Sequence, residues 1–134
     1  MEPSIEEQTY KAFSDAIGRG DLEGAFAFAT EDVTFRPIGS HPELCREFKG
    51  AQDILENCWF RVFTHFDENG IATKVLNIAT APGIAFAQFT GEAKGRSGMA
   101  YNNEYVHVIH FRGDKICAIT EYLDTALFER LLAQ

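Results

Sequence analysis

The sequence predicts an α+β domain in which helices come first, a meander of antiparallel strands follows, and the helices lie on one face of a curved sheet. Three observations predict it. Apolar residues recur every three or four positions as far as about residue 66, the period changes to two from Gly70 onward, and the breaks between the later runs are short enough for hairpins. The 134 residues suit one domain with a core and one internal pocket. No internal repeat, low-complexity stretch or linker divides them.

Ser4 with Glu7 three residues later is a capping-box pattern, so a first helix is expected over about 5–18, with Tyr10, Phe13 and Ile17 on its apolar side and Gly18-Arg19-Gly20 as its stop. Asp21 caps a second helix from Leu22 to about Ala29. Val33-Thr34-Phe35-Arg36 reads as a brief strand ended by Pro37, and residues 38–50, with Gly39 and Pro42, as a loop. Ile54, Leu55, Cys58, Trp59, Val62, Phe63 and Phe66 then mark a helix buried on one broad side. Strands follow at about 71–81, 84–96, 99–112 and 115–123, with turns at Ala81-Pro82-Gly83, Gly95 to Gly98 and Arg112-Gly113-Asp114-Lys115. Asp124-Thr125 caps a last short helix, about 126–133.

With 46% hydrophobic and 24% charged residues the chain is globular. A net charge of −8 and the absence of any basic cluster argue against nucleic acid. The acidic opening Met1-Glu2-Pro3-Ser4-Ile5-Glu6-Glu7 does not read as a signal or transit peptide, and the uncharged run Val75 to Gly91 is broken by Asn77, Pro82, Gly83 and Gln88. A cytoplasmic protein without a membrane span is expected, and Cys45, Cys58 and Cys117 suit reduced thiols.

The long strand alternates Tyr101, Asn103, Tyr105, His107, Ile109 on one face with Asn102, Glu104, Val106, Val108, His110 on the other. The first set mixes aromatic, apolar and neutral hydrogen-bonding groups, as a binding cavity does. The second reads as an outer or partner-facing surface. In the next strand Cys117, Ile119, Glu121 and Leu123 share one face, and Ile116, Ala118, Thr120 and Tyr122 the other. A two-residue Gly113-Asp114 turn would set Thr120 opposite His107. A three-residue loop with a bulge would set Glu121 opposite His107 and Ile119 opposite Ile109. Alternation leaves both registers open.

Gly20-Asp21-Leu22-Glu23-Gly24, the run Glu31 to Ser40, and Gly113-Asp114-Lys115-Ile116 followed by Glu121-Tyr122-Leu123-Asp124 resemble the ketosteroid-isomerase and SnoaL-like polyketide-cyclase families of the nuclear transport factor two-like superfamily. The resemblance covers about residues 5–124 and implies a cone-shaped domain, commonly a dimer, whose curved sheet and helices enclose one deep pocket. In ketosteroid isomerase the base is an Asp before a Pro on the first strand, where this chain has Arg36 before Pro37. The oxyanion-hole Tyr matches Phe13 here, and the protonated Asp matches His107. Steroid isomerisation by that mechanism is therefore excluded. Limonene-epoxide hydrolases have an acid before Tyr or Phe in the last strand, matching Glu121-Tyr122, while their Arg and second Asp fall near Gln88 and Thr90. That match implies a Glu121 facing the cavity and favours the bulged register.

The candidate site is accordingly His107 with Glu121. His107 would donate one ring hydrogen to the carboxylate and keep its other nitrogen free as a general base. The plainer reading is a buried pair that only satisfies two polar groups. Arg36 is the candidate to polarise a substrate carbonyl, against pairing with Glu121 or pointing to solvent. Phe13, Phe35, Trp59, Tyr101, Asn103, Tyr105, Ile119 and Leu123 are the candidate substrate-binding residues, each with a core role as its alternative. No metal is expected, because His107 and His110 point to opposite faces and His41 with Cys45 has no third ligand. No cofactor motif is present, and Cys58, on the apolar stripe, reads as a packed thiol. The expected ligand is a small, largely apolar organic molecule with a carbonyl or hydroxyl group. The expected activity is a cofactor-free isomerase, cyclase or dehydratase, in which His107 moves a proton and Arg36 or a Tyr steadies charge on oxygen. The alternative is a non-catalytic ligand-binding or dimerisation module, and in either case the face with Val106 and Val108 is expected to pair two copies into a homodimer.

Overall fold

A computed structural model describes residues 2–134. Helix α1 (Ile5–Gly18) starts where Ser4 accepts a hydrogen bond from the Glu7 amide, and it buries Tyr10, Phe13 and Ala16. Gly20, at φ 78°, takes the chain out of the helix. The Asp21 side chain caps α2 (Leu22–Phe26) through the Gly24 amide. This helix is shorter than its composition suggests, because the Ile116 amide takes the Phe28 carbonyl and pairing with the last strand begins at Ala29. Strand β1 (Ala29–Pro37) is thereby more than twice its predicted length.

Within the expected loop, β2 (Phe48–Lys49) adds a short edge to β1, with Phe48 opposite Phe35. The next helix is real but not uniform. It runs as α3 (Ala51–Ile54), a π-helical turn (Leu55–Trp59) and α4 (Phe60–Phe63). Phe66 does not extend it. The Arg96 amide takes the His65 carbonyl and Phe66 pairs with Gly95, so Phe66 opens β3 (Phe66–Ala81), five residues ahead of the expected start at 71. Strands β4 (Ile84–Gly95), β5 (Ala100–Arg112) and β6 (Lys115–Leu123) follow as antiparallel hairpins. Helix α5 (Thr125–Leu132) closes the chain, capped by the Asp124 side chain on the Leu127 amide.

The six strands lie in the order β2-β1-β6-β5-β4-β3, antiparallel except where β1 runs parallel to β6. The helices cover one face of this curled sheet, which does not close on itself. The result is the expected α+β cone. Alternation on β5 holds throughout: Tyr101, Asn103, Tyr105, His107 and Ile109 are all buried, while Asn102, Glu104, Val106 and His110 are exposed and Val108 is half-buried.

The β5–β6 hairpin combines the two registers considered. Its turn is the two-residue Gly113-Asp114, with Arg112 opposite Lys115 and Gly113 at φ 64°. The extra residue sits inside β6 instead, where Phe111 pairs with Ile116 and His110 with Ala118, leaving Cys117 as the bulge. Ile116 and Ile119 therefore both point into the core, correcting the expectation that Ile116 lies on the outer face. Beyond the bulge His107 faces Glu121 and Ile109 faces Ile119.

Candidate functional site

Two packed clusters leave a gap between them. One gathers Tyr10, Phe13, Phe35, Phe48 and Ile109 under α1 and α3, and the other gathers Phe66, Tyr101, Phe128 and Leu131 around α5. The gap is a cavity of about 140 Å³, walled by side chains from both. Helix α1 supplies Tyr10 and Phe13, the π-helical turn Cys58 and Trp59, the strands Phe35, Phe89, Tyr101, Tyr105, His107, Glu121 and Leu123, and α5 Phe128. The wall carries no Lys or Arg among the described residues.

His107 and Glu121 meet at this wall. Nε2 of His107 lies 2.9 Å from Oε1 of Glu121, and the pair sits at the rim of solvent access, with side chains 9% and 19% exposed. The β6 bulge is what brings them together, since removing it would put Thr120 opposite His107. A third group completes the arrangement: the Tyr10 hydroxyl lies 3.0 Å from Nδ1 of His107. Both ring nitrogens are therefore engaged, which corrects the expectation of one free nitrogen. Phe35 and Phe89 pack edge-on against the ring, at centroid distances of 6.0 and 4.7 Å. Glu121's other carboxylate oxygen has no hydrogen-bond partner among the described residues.

The carboxylate's charge is felt across the cavity. Burial first and Glu121 second push the Tyr10 hydroxyl above the ordinary tyrosine range, and the same two causes act on Tyr105. Burial, reinforced by Glu121, pushes the Cys58 thiol up to about 12, so Cys58 is a packed, protonated wall group.

A second polar group of residues stands further along β5. Asn103 Nδ2 donates to the Tyr101 hydroxyl at 2.9 Å and to the Asp124 carbonyl at 3.2 Å, and its Oδ1 accepts from the Asp124 and Glu104 amides. The Tyr105 hydroxyl also donates to Tyr101, at 3.3 Å. Tyr101 accepts twice, and its own proton is left for another acceptor.

Of the predicted residues, His107, Glu121, Phe13, Phe35, Trp59, Tyr101, Tyr105 and Leu123 line the cavity. Three do not. Arg36 is exposed, because Phe35 and Pro37 on either side of it point inward and a strand turns successive side chains to opposite faces. Asn103 is buried but turned to the Asp124 backbone, and Ile119 is packed into the core beside Ile109. Sequence reasoning placed Tyr10 on the buried side of α1 but missed its hydroxyl's partner, and Phe89 was missed altogether. The alternation of Ala85, Ala87, Phe89 and Gly91, all buried, is the signal that could have found it.

A model of the SnoaL-like domain matches residues 10–119. The chain belongs to the SnoaL-like domain family. Solved structures agree on the fold. An NTF2-like protein of unknown function from Burkholderia pseudomallei aligns with a TM-score of 0.86 at 23% identity, over 98% of this chain and 100% of that one. TerC, co-crystallised with polyporic acid, gives 0.84 at 20% over the same shares. An LEH-like epoxide hydrolase from M. tuberculosis gives 0.70 at 16%, over 96% and 90%. No curated protein sequence is detectably similar. No described helix of this SnoaL-like chain is long and apolar enough to cross a membrane.

Proposed function

We propose that the chain binds a small, largely apolar organic molecule carrying a carbonyl or hydroxyl group, and that the His107–Glu121 pair moves a proton on it in a cofactor-free isomerisation, cyclisation or dehydration. The observation that carries this reading is the 2.9 Å pair at the wall of a largely apolar cavity, with one carboxylate oxygen unpaired. A carboxylate held by one neighbour and open on its other oxygen can take a proton from a bound molecule and return it elsewhere. The unpaired Tyr101 proton would meet a ligand oxygen on which charge develops, the part for which Arg36 or a Tyr is the sequence candidate. With no Lys or Arg on the wall, an anionic ligand gains no counter-charge, so a neutral one is favoured.

Support for a homodimer comes from the outer sheet face, where Phe86, Val106 and Tyr122 are exposed on adjacent strands. The free state of Cys45, Cys58 and Cys117 suits the cytoplasm. The test is to identify the molecule that copurifies with the chain by mass spectrometry and follow its exchange of carbon-bound hydrogen in heavy water. Exchange that falls about 10²–10⁴-fold in Glu121→Gln while the molecule still binds supports the reading. Undiminished exchange excludes it. No exchange in the native protein leaves the non-catalytic binding module, whose support is the different residues at the isomerase positions Phe13, Arg36 and His107.

A further inference from the structure

We propose that Tyr10 is the positioning residue of the His107–Glu121 pair: its hydroxyl donates to Nδ1 of His107, holds the ring in the Nε2–H tautomer, and leaves the second oxygen of Glu121 as the atom that exchanges a proton with the ligand. The last clause rests on the proposed function; the first two do not. The ring stands between two partners, with Glu121 Oε1 at 2.9 Å from Nε2 and the Tyr10 oxygen at 3.0 Å from Nδ1. A carboxylate only accepts hydrogen bonds, so the nitrogen facing it carries the proton. In the neutral ring the other nitrogen is then an acceptor, and the hydroxyl facing it is the donor. Tyr10 is suited to that part because burial and the nearby carboxylate both disfavour its ionisation.

A flipped ring would face both partners with carbon and lose both hydrogen bonds. Tyr10, Phe35 and Phe89 stand edge-on to the imidazole at interplanar angles of 90°, 83° and 77°, and a rotated ring would have to pass between them. The titratable groups that face the ring, or share its cavity wall, are Glu121 from β6, Tyr10 from α1, Tyr101 and Tyr105 from β5 and Cys58 from the π-helical turn. Glu121 Oε1 takes the Nε2 proton, and the Tyr10 hydroxyl fills the lone pair at Nδ1 of the neutral ring. During a turnover His107 keeps its Nε2 proton, the ligand's proton passes to the open oxygen of Glu121, and the same oxygen gives it back to another atom of the ligand. Nothing is oxidised and no group is transferred.

The experiment is long-range ¹H–¹⁵N spectroscopy of the ¹⁵N-labelled full chain, which reads the tautomer of each histidine without any ligand. The native protein is expected to show His107 protonated at Nε2, with Nδ1 shifted as a hydrogen-bonded acceptor. In Tyr10→Phe, Nδ1 should move to the position of a free acceptor. An unmoved Nδ1 signal in a folded Tyr10→Phe, or a native ring protonated at Nδ1, overturns the assignment. Should Tyr10→Phe not fold, the native tautomer decides alone. A failed exchange assay with the Nε2–H tautomer present sinks the proposed reaction and leaves the role of Tyr10 standing.

Discussion

Along the inner face of β5, His107 and Asn103 stand four residues apart and are about equally buried, yet they do different things. Asn103 is consumed by the fold. Its amide ties Tyr101 and the Asp124 carbonyl, and its oxygen takes two backbone amides, one of them at the start of α5. His107 is equally engaged, but its partner Glu121 has an oxygen left over and both face the cavity. Burial and polarity alone do not mark a site. What separates the two stations is whether the hydrogen-bonding capacity ends on the backbone or stays open toward the empty space.

Alanine at each station tests that difference. Glu121→Ala, which removes the open acceptor of the first station, should lose turnover by 10²-fold or more, roughly 3 kcal/mol of barrier, while ligand binding stays measurable by calorimetry. Asn103→Ala should do the reverse. It strips partners from the Glu104 and Asp124 amides, so urea unfolding should show a loss of about 1–3 kcal/mol with the proton-transfer step intact. Equal loss of turnover in both variants would erase the distinction.

Alkaline pH probes the tyrosines that stand at the two stations. Tyr10 belongs to the first, Tyr101 and Tyr105 to the second, and burial raises all three above the ordinary tyrosine value. Their unfolded forms ionise near pH 10 and their folded forms do not, so this stabilisation is complete below about pH 10 and is lost as pH rises beyond it. Each tyrosine should contribute a slope of up to about 1.4 kcal/mol per pH unit. Tyrosinate absorbance from these residues should therefore appear together with loss of circular dichroism. Ionisation well before unfolding would show that the cavity is wet.

How far the sequence reveals this site follows from which contacts are local. The period-two alternation on β5 identifies its inner face completely, because one residue's side fixes the next. The bulge at Cys117 is not legible, since it depends on both Ile116 and Ile119 being drawn inward by the packed core. The π-helical turn that carries Cys58 and Trp59 is equally silent, because apolar spacing of three and four is compatible with an uninterrupted helix. Tyr10 and His107 are separated by 97 residues, so only the crossing of α1 over β5 makes them partners.

Arg36 gives the smallest expected effect and the sharpest use of the same contrast. Its neighbour Pro37 pairs in register with Glu121, so in sequence and in strand position Arg36 stands as close to the acid as a charge partner would need to. Parity decides otherwise: Phe35 and Pro37 take the inner face, and Arg36 is left on the exposed one. A guanidinium there meets solvent and a screened field, whose influence on an interior carboxylate is small. Arg36→Ala should accordingly change stability by less than about 0.5 kcal/mol and leave both ligand affinity and turnover at native values. A tenfold loss of turnover would mean that the arginine reaches around the sheet edge, and the open side of the site would then have to be redrawn.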